Sequence, residues 1–141
     1  MQNPSMGIQI RAATPDLLAA AVRKFMGAEP GRTYLDSPGT LAFVAADPEV
    51  LGWCWGYHLP RPDGTSMLYL HQFAVDENHR RRGIGKGLLR AFMTAGTRAG
   101  ATKMFLTTGA DNHPARSLYD ALGGGLAEQG PTVNYWFVLD R

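Results

Sequence analysis

The feature that most constrains this chain is a change of hydrophobic period around a run of arginines and glycines, Val75-Asp76-Glu77-Asn78-His79-Arg80-Arg81-Arg82-Gly83-Ile84-Gly85-Lys86-Gly87. Before it, the pattern has a period of two. After it, Ile84, Leu88, Phe92, Ala95 and Ala99 fall on one helical face, with Lys86, Arg90, Thr94 and Arg98 on the other. A strand therefore runs through a glycine-rich turn into an amphipathic helix. Gly100 is placed to end that helix, and Lys103 to Thr108 reads as a strand again. Strand 67–75, helix 83–99 and strand 103–108 then form a right-handed βαβ crossover.

The upstream half reads as a meander. Ile8 to Arg11 is a short strand, and Thr14-Pro15-Asp16 supplies a capping hydroxyl, a first-turn proline and an acid for a helix that runs to about Met26. Residues 27–40, with Pro30, Gly31, Pro38 and Gly39, read as a mobile loop. Leu41–Ala46, Gly52–Leu59 and Met67–Val75 are strands joined by short turns, hence antiparallel. Trp53, Trp55 and Tyr57 alternate within the second of these and should share one face. Downstream, a short helix from about Pro114 to Leu122 precedes a last strand, Asn134 to Leu139. The expected architecture is one α+β domain over residues 1–141, its mixed central sheet antiparallel at first, parallel across the crossover and flanked by helices.

Composition narrows the function classes. A formal charge of +2 is too small to imply nucleic acid or a membrane, yet Arg80, Arg81, Arg82 and Lys86 fall within seven positions. That focus points to a local polyanion site, and no interleaved aromatics or second basic patch accompany it as a nucleic-acid surface requires. The single cysteine, Cys54, excludes an internal disulfide and a thiol metal cluster. The N-terminus lacks a charged segment followed by an apolar run, and no stretch approaches the roughly 20 apolar residues of a membrane span. A soluble, cytoplasmic protein is expected. His58, His79 and His113 show no ligand spacing, so no metal is expected.

The turn before the helix carries the chemistry. Glycines let backbone approach a ligand closely, free N–H groups at a helix start attract phosphate, and flanking cations neutralise the remaining charge. A P-loop would need glycine at Arg80 and Ser or Thr at Gly87, and a dinucleotide fingerprint would need glycine at Leu88. What remains is Arg-x-x-Gly-x-Gly, at Arg80, Gly83 and Gly85. Asn112-x-x-Ala115-x-x-Leu118-Tyr119-x-x-Leu122-Gly123 is a second block. With both motifs, the chain resembles the GNAT superfamily of N-acetyltransferases along nearly its whole length.

The resemblance implies acetyl-CoA as co-substrate and direct transfer to a primary amine. The backbone of Phe73, Ala74 and Val75 would pair with the pantetheine arm, and the amides and side chains of Arg80, Arg81, Arg82, Gly83, Ile84, Gly85 and Lys86 would hold the pyrophosphate. Asn112 would contact pantetheine, and Tyr119 would protonate the departing thiolate. Asn112 also reads as a helix cap, and Tyr119 as a core residue on a face shared with Ala115, Leu118 and Leu122. Some small-amine members carry a histidine where His71 stands, two residues before Phe73. It is the leading candidate base, since imidazole exchanges protons near neutral pH. A histidine held in the sheet by hydrogen bonds is the equal alternative. Tyr69, Gln72, Asp36 and Glu128 are weaker candidates, and Cys54 has no evident activating partner.

Tyr57-His58-Leu59-Pro60, Tyr69 to Val75 and Pro114 to Gly123 look most like the gentamicin-type aminoglycoside 3-N-acetyltransferases, which would make the chain an antibiotic-resistance enzyme. It departs from them at His71-Gln72, where the family has Tyr-Asp, and at Asn112-His113, where the family has an acidic pair. Two carboxylates suited to a polycationic sugar are thus absent. Trp53, Trp55 and Tyr57 could instead wall an acceptor pocket, or form sheet core or dimer surface. Another small amine, a protein amino group, or a binding domain without catalysis are the alternatives. The last strand allows a homodimer.

Overall fold

The computed structural model describes residues 7–31 and 33–139, in two compact units that divide between Gly109 and Ala110. In the first unit, β1 (Gln9–Ala12), β2 (Thr40–Asp47), β3 (Glu49–Pro60), β4 (Ser66–Val75) and β5 (Met104–Phe105) form one sheet in sequence order. The first three pairings are antiparallel and β4–β5 is parallel. Helix α1 (Pro15–Met26) links β1 to β2, and α2 (Ile84–Arg98) links β4 to β5. The mixed sheet, meander first and crossover second, is the architecture the sequence predicts.

Alternation in β3 decides how the helices dock. Trp53 is 1% exposed and packs with Val44, Val50 and Ala21, against Leu17, Leu18, Val22 and Phe25 of α1. The Phe25 and Trp53 rings stack at 5.9 Å. The opposite face of β3 carries Gly52, Cys54 and Gly56. A side chain at Gly52 would press on Leu88 and Ile84 of α2, and one at Gly56 on Phe92 and the Tyr69 carbonyl. Cys54 donates its S–H to the Leu88 carbonyl at 3.7 Å, and burial pushes its thiol up to about 12. Large residues thus meet one helix and small ones admit the other. Gly96 of α2 repeats the device from the helix side, sitting directly on Leu68 of β4.

Local signals set the helix ends. Thr14 Oγ1 accepts from Leu17 N–H, Pro15 occupies the first turn, and Gly27 ends α1 at φ 61°. Beyond that helix, Lys24 Nζ donates to the Val50 carbonyl at 2.8 Å and to Asp76 Oδ2 at 2.7 Å. Asp76 N–H in turn donates to the Leu51 carbonyl. The end of α1, the start of β3 and the end of β4 are tied at one point. Lys24 and the Asn78 amide hold the Asp76 carboxyl down to about 2.

Two strand expectations need correction. The strand expected at Lys103–Thr108 is reduced to Met104–Phe105. Its ladder with β4 ends at Tyr69↔Phe105, next to a bulge in the β3–β4 pairing that leaves His71 without a partner in β3. A bulge bends the strand that carries it, and this one lies where β5 would continue along β4. The strand expected at Asn134–Leu139 does not form. The second unit contains α3 (His113–Ala121) followed by irregular chain. Trp136 and Val138 there are 91% and 98% exposed. An alternating pattern needs a neighbouring ladder before it becomes a strand, and among the described residues this segment has none.

Gly56→Ala should therefore lower stability by about 1–3 kcal/mol, the usual cost of overpacking against backbone. Gly31→Ala, with open space around it, should change it by less than about 0.5 kcal/mol. Urea unfolding of the two variants checks the difference. Asp76→Asn should lower the melting temperature at neutral pH. A carboxyl depressed on folding stabilises above its ordinary value of 3.8, and that contribution fades as pH falls toward about 2. The gap between wild type and variant should close over that window, as thermal melts at stepped pH would show.

Candidate functional site

Strand β4 ends in a turn that combines a 3-10 segment with two left-handed residues. Asp76 Oδ1 accepts from Asn78 N–H and opens a 3-10 turn, Glu77–His79. Arg80 Nε then donates back to the Val75 carbonyl at 3.4 Å. Arg81 has φ 65° and Gly83 φ 78°. A left-handed arginine is uncommon, and such backbone reversals are the local conformation from which anion-binding concavities are built. Glycine meets the requirement at position 83 without cost.

The start of α2 differs from the other helix starts. Helices α1 and α3 each have a side-chain cap, Thr14 and Asn112 respectively, whereas Gly83 gives α2 none. The first turn of α2 contains no acid, and its ladder opens with Gly87 N–H donating to the Gly83 carbonyl. The N–H groups of Ile84, Gly85 and Lys86 lie ahead of that bond, at the positive end of the helix dipole. Arg80, Arg81, Arg82 and Lys86 are exposed around them. A phosphate group would find both amide donors and cations here.

The adjoining half of β4 offers a second set of donors and acceptors. Because β5 stops at Phe105, β4 beyond Tyr69 is laddered by β3 on one side only. Phe73, Ala74 and Val75 lie in this stretch, all half-buried, and their outer edge can take an extended amide-bearing chain as an added strand. The phosphate turn follows directly. The residues fit an elongated ligand with an amide arm and a pyrophosphate.

The candidate base lies at the bulge. His71 is exposed, its ring stacked on Trp55 at 4.5 Å and 18°, with Tyr69 edge-on at 5.3 Å. Ring contacts, rather than sheet hydrogen bonds, position it. Gln72 Oε1 accepts from Trp55 Nε1 at 3.1 Å. Trp53, Trp55 and Tyr57 share a face, as the alternation predicts, and their rings form a chain at 6.3 and 6.0 Å. Sequence reading missed Tyr34, which rises from the loop. Its hydroxyl shares a proton between the Leu41 and Gly56 carbonyls, and its ring meets Trp55 and Tyr57 edge-on. An aromatic among loop prolines and glycines was the available signal. Phe105 stacks on Tyr69 at 6.0 Å.

The remaining candidates separate. His58 is bonded to Ser66 Oγ, His79 stands 3.7 Å from Asp76, and Asp36 is exposed. Among the described residues, no group of three or more His, Cys, Asp or Glu side chains could hold a metal. Also among the described residues, no helix is long and apolar enough to cross a membrane.

In the second unit, Asn112 Oδ1 accepts from Ala115 N–H at 3.3 Å, the capping geometry. Tyr119 is half-buried with Ala115, Leu118 and Leu122, as their shared face predicts, while Glu128 is exposed.

The chain is similar to several known acetyltransferases. Rat N-acetyltransferase family 8 member 2 is 29% identical over 93 residues, and human N-acetyltransferase 8 is 33% identical over 95. Each match covers 65% of this chain and spans 41% of the relative's length. Among solved structures, an aminoglycoside acetyltransferase from a soil metagenome, in complex with trehalose, superposes with a TM-score of 0.79. It is 21% identical, with 94% of this chain and 97% of that one covered. AAC(6')-Iy, in complex with the bisubstrate analogue CoA-S-monomethyl-acetylneamine, gives 0.77 at 20% identity, covering 94% and 99%. At those identities the likeness shows a shared fold. The sequence profile of the acetyltransferase (GNAT) family matches residues 12–123, from β1 through α3, and the chain belongs to that family.

Proposed function

We propose that the chain is an acetyl-CoA-dependent N-acetyltransferase acting on a primary amine of a small molecule. The observation that carries this reading is the uncapped start of α2, set behind the left-handed Arg81 and Gly83 and beside the open edge of β4. Amides of Ile84, Gly85 and Lys86, with the cations of Arg80, Arg81, Arg82 and Lys86, take the pyrophosphate. The backbone of Phe73 to Val75 takes the pantetheine amides as a short added strand. Acetyl-CoA supplies an activated acetyl thioester.

The protein's part is positioning and proton management. An alkyl ammonium must lose one proton to become nucleophilic and a second when its nitrogen bonds the acetyl carbon. The carbon–sulfur bond breaks, one proton ends on the thiol sulfur, and the other leaves to solvent. His71, exposed beside the cofactor edge of β4, accepts the amine's proton directly or through water. The family resemblance assigns Tyr119 as donor to the departing sulfur and Asn112 as a pantetheine contact. Cys54 is excluded as an acyl carrier, because its thiol is buried and pushed up to about 12.

A second reading narrows the acceptor to an aminoglycoside, acetylated at the 3-N position, with antibiotic resistance as the consequence. Its support is the fold shared with the aminoglycoside acetyltransferases over 94% of this chain. A panel assay of coenzyme A release, with aminoglycosides, arylalkylamines, polyamines and lysine peptides, tests both readings. Selective release with one class supports the transfer reading. Release with none, despite tight acetyl-CoA binding, refutes it in favour of a non-catalytic binding domain.

Two variants test the site. Gly85→Asp sets an anion among the phosphate donors and should weaken acetyl-CoA binding at least 100-fold in calorimetry; unchanged affinity would remove the cradle. Tyr119→Phe should lower kcat by roughly 10–1000-fold with KM for acetyl-CoA nearly unchanged. Wild-type turnover in that variant would remove Tyr119 as the acid.

A further inference from the structure

Six rings form a continuous wall on the α1 side of the sheet, and helix packing accounts for only its beginning. The wall runs Tyr57, Tyr34, Trp55, His71, Tyr69, Phe105, each ring within 4.5–6.0 Å of the next. Trp53, the preceding member of the stripe, is sealed under α1, and Trp55 is only partly covered by the same cluster. Past that point Tyr34, Tyr57 and Tyr69 are half-buried, His71 is exposed and Phe105 is 42% exposed. Half-exposed aromatic side chains in mutual contact are costly to leave bare and are a common composition for ligand walls.

Position and charge say what the wall receives. His71 sits within it, two residues before Phe73, where the open edge of β4 begins its cofactor half. A molecule lying on these rings would present its end at the imidazole and at the reacting end of the pantetheine arm. Among the described residues, no carboxylate forms an ion pair or hydrogen bond with any of the six; the ion pairs formed are Arg23–Glu29, Lys24–Asp76 and His79–Asp76. A sugar bearing several ammonium groups needs counter-charges for each one it desolvates. An aromatic wall offers a single ammonium the negative face of a ring, and offers an aromatic body stacking and apolar burial.

Resting on the transfer reading above, we infer that this wall is the acceptor platform and that its substrate is an arylalkylamine: one primary ammonium, about to be deprotonated, on a short chain from an aromatic body. The rings hold the body, and His71 takes the proton from the nitrogen.

The test compares 2-phenylethylamine, hexylamine, spermidine and gentamicin as acceptors for wild type, Tyr69→Leu, Tyr69→Phe and Tyr57→Leu. In wild type, kcat/KM for 2-phenylethylamine should exceed that for the other three by about 10-fold or more. Tyr69→Leu should raise KM for 2-phenylethylamine about 10-fold, the scale of a ring–ring contact. Hexylamine should shift less than threefold, acetyl-CoA not at all, and Tyr69→Phe should restore KM. Tyr57→Leu repeats the measurement should Tyr69→Leu fail to fold. Preference for gentamicin or spermidine, or equal KM shifts for both monoamines, overturns the inference while leaving acetyl transfer standing. Should no amine turn over, calorimetry of 2-phenylethylamine with the coenzyme A-loaded protein decides. Saturable binding lost in Tyr69→Leu upholds the wall although transfer fails, and absence of binding overturns it.

Discussion

The structure depends on the division of labour along β3, where large and small residues alternate. Gly52, Cys54 and Gly56 let α2 settle onto the sheet, and Trp53 beneath α1 fills the other side. Reversing that order would leave α2 no room and α1 nothing to cover. The consequence reaches the candidate site through α2. Ile84, Leu88 and Phe92, which rest on those small residues, fix the helix whose first turn carries the proposed phosphate donors. The helix start is held by packing several residues deep rather than by a cap, so its N–H groups stay available. Lys24 and Asp76 fasten the other side of the same turn, through α1.

One irregularity in β4 serves both halves of the proposed chemistry. The bulge leaves His71 without a partner in β3, its imidazole stacked on Trp55, and the β4–β5 ladder ends two residues earlier at Tyr69. A ladder continued by β5 along Phe73 to Val75 would have closed the edge on which the proposed cofactor arm would pair. Continued from Tyr57↔Tyr69, a regular register would have set His71 opposite Trp55 and turned Gln72 to the other face; the extra residue brings Gln72 to Trp55 as well. Bulges recur near active sites for this reason: one extra residue re-aims a side chain and ends a pairing together.

Much of this was legible in the sequence because the signals are local or periodic. The period change at Gly83 marked the crossover, Thr14 and Pro15 marked α1, and the Trp53-Trp55-Tyr57 spacing named a shared face. The turn ahead of α2 was readable from its glycines, and its arginines led to the proposal that it holds a phosphate. What stayed hidden depends on contacts distant in sequence. The bulge at His71 exists only as a relation between two strands, and Tyr34 joins the wall through carbonyls 7 and 22 residues away. The Lys24–Asp76 tie spans 52 residues. Residues 134–139 mark the opposite failure, an alternating pattern that predicts a strand while the partner it requires is absent among the described residues. The left-handed conformation of Arg81 had no signal at all, since arginine is not a residue that announces it.

Cys54 has a practical consequence. The chain's single sulfhydryl is 0% exposed, engaged with the Leu88 carbonyl, and pushed up to about 12 by burial. Aromatic disulfide reagents, which colour only when a thiolate attacks them, will find no reactive group on the native polypeptide. The folded protein therefore adds no colour of its own, and in the proposed transfer each equivalent of chromophore would count one molecule of free coenzyme A. The same reagent reports loss of structure, because a single equivalent of colour without substrate means that the sheet beneath α2 has opened.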